Sequence, residues 1–341
     1  MGDPVLLPLT GTYAEAAAAI RSGLDAALAK DSNPAKLPLH YVDSQSGDIK
    51  ALYQQLVAGG AAAILGPLTK ENVSGLAQGT DLSVPVMALN QVAGVQNDKL
   101  YQLGLNPEQE VEQLAASAWF DGRRAALVLS PASNFGQRIS AHFIQYWKQI
   151  GGLVLASETY PQHGDDFSQP VENLLGGITP GTRAGFVYLV ADARDAHLLT
   201  PQILARFGTA MPLYTTSQVY SGQPDPVSDQ SLNNLIFCDV PWLIDRNEGD
   251  ELSATQLSET IQHTKPDYVK LIALGIDAYR LLPELDALKQ DSQYRFAGLT
   301  GTLSLRSGNR FERQMSCARF QNGGLEMRGT APILPPQGAG H

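Results

Sequence analysis

Along the first hundred residues, short apolar runs alternate with longer amphipathic ones. Val5-Leu6-Leu7-Pro8-Leu9 reads as a buried strand and Thr10 to Tyr13 as a turn, after which Ala17, Ile20, Leu24, Ala27 and Leu28 share one helical face. The pattern continues as a strand over 37–42, a helix over 49–58 and a strand over 62–65 that Gly66-Pro67 stops. A short helix over 71–78, a strand over 84–89 and a brief strand over 100–103 follow. Near-continuous apolar strands separated by helices predict a parallel sheet covered on both faces, and right-handed crossovers make it doubly wound.

The same alternation then restarts. Asn106-Pro107-Glu108-Gln109 marks a helix start: Asn caps, Pro takes the first helical position, Glu suits the positive end, and Gln109 can close a capping box. A strand over 125–129 leads into a helix lined by Ile139, Phe143, Trp147 and Ile150, which Gly151-Gly152 ends. Further strands are predicted over 153–157, 185–190, 213–216 and 235–239. Pro201 is expected to break the helical stretch between them, with Thr200 capping a new helix. The tail departs from the pattern. One long helix over 268–285 carries Leu271, Leu274, Ala278 and Leu281 on a face, and 298–305 and 313–320 form a hairpin about Ser307-Gly308-Asn309. A single helix and a single hairpin cannot build a third core, so each must pack back on one of two doubly wound parallel-sheet lobes. The expected class is α/β.

Charge and motifs narrow the chemistry. The formal net charge of −10 and a pI near 5.0 oppose binding to phosphate backbones, and the chain has no basic run, so nucleic acid is not an expected partner. No apolar run reaches the ~18 residues of a membrane span, and the most apolar stretch, 56–68, is broken by Gly. Met1-Gly2-Asp3 leads straight into a strand, with no room for a signal peptide. There is no phosphate loop, nucleophile elbow or H-E-x-x-H motif. The six histidines, His40, His142, His163, His197, His263 and His341, show no metal-ligand spacing. No catalytic residue, metal or cofactor is expected. Cys238 and Cys317 are too few for a disulfide framework and read from the sequence alone as buried thiols.

Ligand binding is the stronger expectation, because open α/β sheets hold ligands beyond the carboxyl ends of their strands. The first lobe's rim offers Thr10, Gly11, Thr12 and Tyr13, then Ser44, Gln45 and Ser46, then Gly66, Pro67, Asn90 and Gln91. The second lobe's rim offers Ser130, Ser133, Asn134, Phe135, Asp192, Ser217 and Gln218, and the two would face each other across a cleft for a small polar ligand. The same residue types are what strand-to-helix turns use for capping. Asp192 could take an ammonium group, but no partner for a carboxylate stands out. Arg138, in a helix's first turn, either pairs with an acid or faces the cleft, or is simply a solvent-exposed side chain. Asp277 and Arg280, three apart on the long helix, are expected to pair locally.

A set of longer words adds a resemblance. The chain reads Leu6-Leu7-Pro8-Leu9-Thr10-Gly11, Gly66-Pro67-Leu68-Thr69-Lys70-Glu71-Asn72-Val73 and Pro85-Val86-Met87-Ala88-Leu89-Asn90. It continues with Ser130-Pro131-Ala132-Ser133-Asn134-Phe135-Gly136-Gln137-Arg138, Asp239-Val240-Pro241-Trp242-Leu243, Ala273-Leu274-Gly275-Ile276-Asp277-Ala278-Tyr279-Arg280-Leu281 and Gly298-Leu299-Thr300-Gly301. In this order they resemble the C-terminal domain of the LppC (LpoA) family, which has a periplasmic-binding-protein type I fold. The resemblance implies three interlobe crossovers, near the hinge positions Gly104, Trp242 and Asp291. It places 3–103 with 243–291 in one lobe, 104–242 with 292–327 in the other, and 328–341 in a tail. It also implies a non-catalytic, periplasmic activator of a bifunctional class A penicillin-binding protein. Such proteins are outer-membrane anchored through a lipidated N-terminus and carry a helical N-terminal domain. Neither is in this sequence, so the chain is expected to be an excised domain. With the family's oxidising compartment, Cys238 and Cys317 become candidates for a disulfide, if the returning strand of the hairpin lies beside 235–239. The alternative is a periplasmic solute-binding or sensor module for an amino acid or cell-wall fragment.

Overall fold

The computed structural model describes residues 2–78, 81–176, 178, 185–246 and 248–334. In chain order, the first segment forms β1 (Asp3–Leu7), α1 (Ala14–Lys30), β2 (Leu39–Asp43), α2 (Ile49–Ala58), β3 (Ile64–Leu65), α3 (Lys70–Ala77), β4 (Val86–Ala88) and β5 (Leu100–Gln102). The second forms α4 (Pro107–Phe120), β6 (Ala125–Pro131), α5 (Asn134–Gln149), β7 (Leu153–Tyr160), α6 (Ser168–Gly176) and β8 (Phe186–Leu189). It continues with α7 (Ala193–Phe207), β9 (Leu213–Thr215), β10 (Leu235–Asp239) and α8 (Pro241–Ile244). Then come α9 (Ser258–Gln262), α10 (Val269–Leu281), α11 (Leu285–Gln290), β11 (Phe296–Gly298), β12 (Gly301–Arg306) and β13 (Arg310–Gln314), and finally β14 (Ser316–Gln321) and β15 (Gly324–Thr330). The chain divides into one unit of Met1–Asn106 with Arg246–Arg313 and another of Pro107–Asp245 with Gln314–His341.

In the first unit the sheet order is β11-β12-β13-β5-β4-β3-β1-β2, with β2, β1, β3, β4 and β5 parallel. Strand alternation sorts the core into two layers. Val5, Leu7, Met87 and Tyr101 pack with Leu274, Leu281, Leu303 and Phe311. Leu6, Ile64, Val86 and Leu100 point the other way, onto Ile49, Tyr53, Val73 and Leu76. Two glycines let α1 and α10 touch backbone to backbone: a Cβ at Gly23 would lie 1.9 Å from the Ile272 carbonyl oxygen, and one at Gly275 2.2 Å from that of Ile20. The late helix thereby closes over the earliest one.

Asp277 of α10 is fully buried. Its carboxylate accepts hydrogen bonds from the Leu299 and Thr300 backbone N–H groups, both at 2.8 Å, and from the Thr300 hydroxyl at 2.5 Å. Burial pushes this carboxyl up from its ordinary range, while the Thr300 and Leu299 donors and the Arg313 charge work the other way. Burial likewise pulls the Arg313 guanidinium down to about 10, opposed by Asp277. The local pair expected between Asp277 and Arg280 does not form. Arg280 instead grips Asp250 with two bonds of 2.7 and 3.0 Å. The reason is direction: Asp277 faces the β11–β12 turn, inside the fold, where backbone N–H groups need an acceptor.

In the second unit the order is β15-β14-β10-β9-β8-β6-β7, parallel from β7 to β10 and antiparallel at β14 and β15. Its core is aromatic. Phe143 stacks on Tyr188 with centroids 3.9 Å apart, and Trp147 meets Phe186 edge-on at 5.1 Å. Cys238 of β10 stands opposite Cys317 of β14, and the two sulfurs are bonded.

Four expectations need correction. The ribbon after α11 splits: β11, β12 and β13 join the first unit's sheet, where β13 pairs with β5, and only β14 and β15 join the second. The third passage between units therefore falls after Arg313 and not at Asp291, and 292–313 belongs to the first unit. Phe311 is the physical reason, since it inserts into the first unit's core. The other passages, after Asn106 and Asp245, lie close to Gly104 and Trp242. The supposed tail contributes 328–330 to β15, Ala331 is buried, and 335–341 lie outside the described residues. Pro201 does not divide its helix either. α7 runs through it, held by buried Ala196, Leu199 and Ile203, and the Thr200 hydroxyl has no hydrogen-bond partner among the described residues. The long helix over 268–285 is instead α10, a 3-10 turn over Leu282–Glu284, and α11.

Candidate functional site

The carboxyl ends of the parallel strands carry most of the residues singled out by sequence. In the first unit they gather around Asp43, at the end of β2, which no sequence motif marks. Its carboxylate accepts the Thr10 hydroxyl at 2.7 Å and the Leu9 and Gln45 backbone N–H groups at 3.0 Å each. Burial raises the Asp43 carboxyl, but the Thr10, Gln45 and Leu9 donors outweigh it and hold it below the ordinary carboxylate range. The Ser46 hydroxyl closes the same turn by donating to the Asp43 carbonyl at 2.7 Å. Ser44 is buried with its N–H on the Leu7 carbonyl.

Gly66 is dictated by backbone geometry. Its φ is +88°, and a Cβ there would sit 2.0 Å from the Leu6 carbonyl oxygen. The Gly66-Pro67 peptide is cis, and both residues are buried. The Asn90 side chain donates to the Leu68 carbonyl at 3.0 Å, and the Gln91 amide to the carbonyls of Gln102 and Phe311 at 3.2 and 2.7 Å. Gly11, Thr12 and Tyr13 remain exposed at the β1–α1 turn.

The second unit's strand ends behave alike. Ser130 is buried, and Ser133 caps α5 by accepting the Gly136 N–H at 3.1 Å. Asn134 and Gln218 are exposed and Phe135 is half-buried. Arg138 pairs with Glu108 at 2.5 Å, with its guanidinium 5.7 Å from the Phe135 ring, so the acid pair forms on a side chain that stays partly exposed. Ser217 gives both its N–H and its hydroxyl to Glu110, each at 2.6 Å. Asp192 caps α7 by accepting the Asp195 N–H at 2.9 Å, and its other oxygen meets the His163 ring at 2.7 Å. His163, Asp192 and Asp195 are the one group of three metal-capable side chains brought together among the described residues.

What these rims can do follows from their bonding. Thr10, Gln91, Ser133 and Ser217 direct their polar atoms into their own unit, as caps and turn closures. Another opening, of about 600 Å³, lies where β1, β2 and β3 of the first unit begin, lined by Asp3, Lys30, Lys36, Tyr279 and Arg280. Its charges are also internally engaged: Arg280 on Asp250, Tyr279 on Asp31 at 2.7 Å, and Lys36 on the Leu28 carbonyl at 2.8 Å. No helix among the described residues is long and apolar enough to cross a membrane.

Comparison with known proteins agrees with this architecture. The family profile described as "LppC putative lipoprotein" matches residues 4–323. The penicillin-binding protein activator LpoA of Photobacterium profundum is 28% identical over 350 residues, covering 94% of this chain and 56% of that protein. That of Histophilus somni is 29% identical over 327 residues, covering 94% and 53%. The chain thus spans about half the length of the curated relatives it matches. Among solved structures, the LpoA (YraM) C-domain from Haemophilus influenzae, described as a regulator of PBP1A, superposes with a TM-score of 0.76 at 24% identity, covering 96% of this chain and 99% of that one. A "putative branched-chain amino acid ABC transporter" from Chromobacterium violaceum superposes at 0.71 with 28% identity, covering 94% and 99%. The fold is of the periplasmic-binding-protein type I kind.

Proposed function

The chain belongs to the LppC lipoprotein family, and from that premise we propose that it is the C-terminal domain of an outer-membrane-anchored periplasmic activator. Its partner is a bifunctional class A penicillin-binding protein, which it stimulates by direct contact and without chemistry of its own. The observation that carries this reading is the family match, which runs across both units rather than over one of them. The inward bonding of Thr10, Ser133 and Ser217 supports it, because their hydrogen bonds are already made to Asp43, Gly136 and Glu110 of their own unit. The test is peptidoglycan cross-linking by a class A synthase, with and without the full-length lipoprotein. A raised yield of cross-linked product is expected, and an unchanged yield at saturating protein overturns the reading.

A second reading, a solute-binding or sensor module, is favoured by the likeness to the Chromobacterium violaceum protein at 28% identity. A thermal-shift screen with free amino acids and muropeptides separates the two. A ligand at 100 times its dissociation constant adds about 2.7 kcal/mol of stability. The activator reading expects a flat screen, and a reproducible upward shift with one ligand class establishes the sensor.

A further inference from the structure

We propose that the second unit holds a zinc(II) site made by His163, Asp192 and Asp195. The loop after β7 brings His163 against the N-terminus of α7, and one donor atom from each side chain lies within 4.8 Å of the other two. In each carboxylate, one oxygen is anchored by a backbone N–H and the other is not. Asp192 holds the Asp195 N–H at 2.9 Å with one oxygen, and its second reaches the His163 Nε2 at 2.7 Å. Asp195 holds the His163 N–H at 3.0 Å with one oxygen. Its other, Oδ1, has no hydrogen-bond partner among the described residues, although Asp195 is fully buried.

A buried carboxylate oxygen without a donor costs free energy unless a proton or a cation meets it. The neighbouring imidazole selects the cation. Calcium and magnesium take oxygen ligands, whereas one nitrogen and two carboxylate oxygens suit zinc, whose ligand atoms stand about 3.3 Å apart in a tetrahedron. The metal would replace the proton shared by His163 and Asp192. The fourth position opens to water, since the His163 and Asp192 side chains are 54% and 32% exposed. Arg194 is an adjacent cation, but its guanidinium is turned to the His163 carbonyl at 2.8 Å and to Asp165 at 3.4 Å. The inference stands apart from the activator reading and does not use it.

The test is calorimetric titration of zinc chloride into the EDTA-treated 341-residue chain in a non-coordinating buffer. One site is expected, with magnesium and calcium silent. Outer-shell substitutions already weaken metal sites by about 10- to 100-fold, so loss of a direct ligand should weaken this one at least ~100-fold. His163→Asn tests this on an exposed ring, and asparagine tolerates the left-handed backbone at that position, where φ is 58°. Asp195→Asn should act alike, and His142→Asn, which removes a different histidine–acid pair, should leave binding unchanged. Cobalt(II) should give visible absorption bands that His163→Asn abolishes. Absence of zinc binding, full affinity in His163→Asn, or equal affinity for calcium overturns the assignment. Because His163→Asn leaves the buried acid in place, that variant decides the matter even where Asp195→Asn does not fold.

Discussion

Replacing Cys238 and Cys317 together by alanine is expected to cost about 4.5 kcal/mol against complete unfolding, the chain-entropy value for a closed loop of this size, and to loosen the second unit, which holds both cysteines. The bond joins residues 79 apart in sequence, so its loss releases a long stretch of the unfolded chain. It also ties β14, which follows the return from the first unit's segment, to β10. All three tryptophans, Trp119, Trp147 and Trp242, lie in this unit, so their fluorescence follows its unfolding alone. Urea titrations should move the fluorescence midpoint of the double variant and of the reduced wild type downward by the same amount. Coincident midpoints for oxidised and reduced protein would contradict a structural role for the bond.

The opposite pattern is expected for Asp277→Ala in the first unit, at a cost of about 3–5 kcal/mol. The substitution strips the acceptor from the Leu299 N–H, the Thr300 N–H and the Thr300 hydroxyl at once. It also removes the negative charge that offsets burial of the Arg313 guanidinium. Asp277→Asn, which keeps one acceptor oxygen, should fall between wild type and alanine. Far-ultraviolet circular dichroism should show an early unfolding phase that tryptophan fluorescence does not follow, because the first unit holds no tryptophan. A variant as stable as wild type would remove Asp277 from the account of how β11 and β12 are held.

The paired sheets were legible because parallel strands buried on both faces are written as unbroken apolar runs, such as Val5 to Leu7 and Ala126 to Leu129. The fate of the terminal ribbon was not. Alternation over 301–306 reports one buried face, but not which sheet edge receives it, and Phe311 decides that only through contacts with distant residues. Pro201 misled for a related reason, since a buried helical face outweighs the one hydrogen bond that proline removes.

At the strand ends the residue types were found and their partners were not. Glu110 lies in the first turn of α4, and nothing in sequence announces its partner Ser217, 107 residues later. His163 and Asp192, 29 apart, have no spacing that belongs to a ligand pair, and only the loops after β7 and β8, strands on either side of β6, bring them together. The family resemblance was legible where spacing was not because it rests on long words that span whole loops, including the Gly66-Pro67 turn, where a Cβ on Gly66 would meet the Leu6 carbonyl.

The most direct measurement is binding of the oxidised 341-residue chain to an immobilised class A penicillin-binding protein, with heat-unfolded chain as the control. Saturable binding by the folded chain and none by the unfolded one is the predicted result. No binding at any concentration where both proteins stay soluble would contradict the claim that this domain acts by touching the synthase.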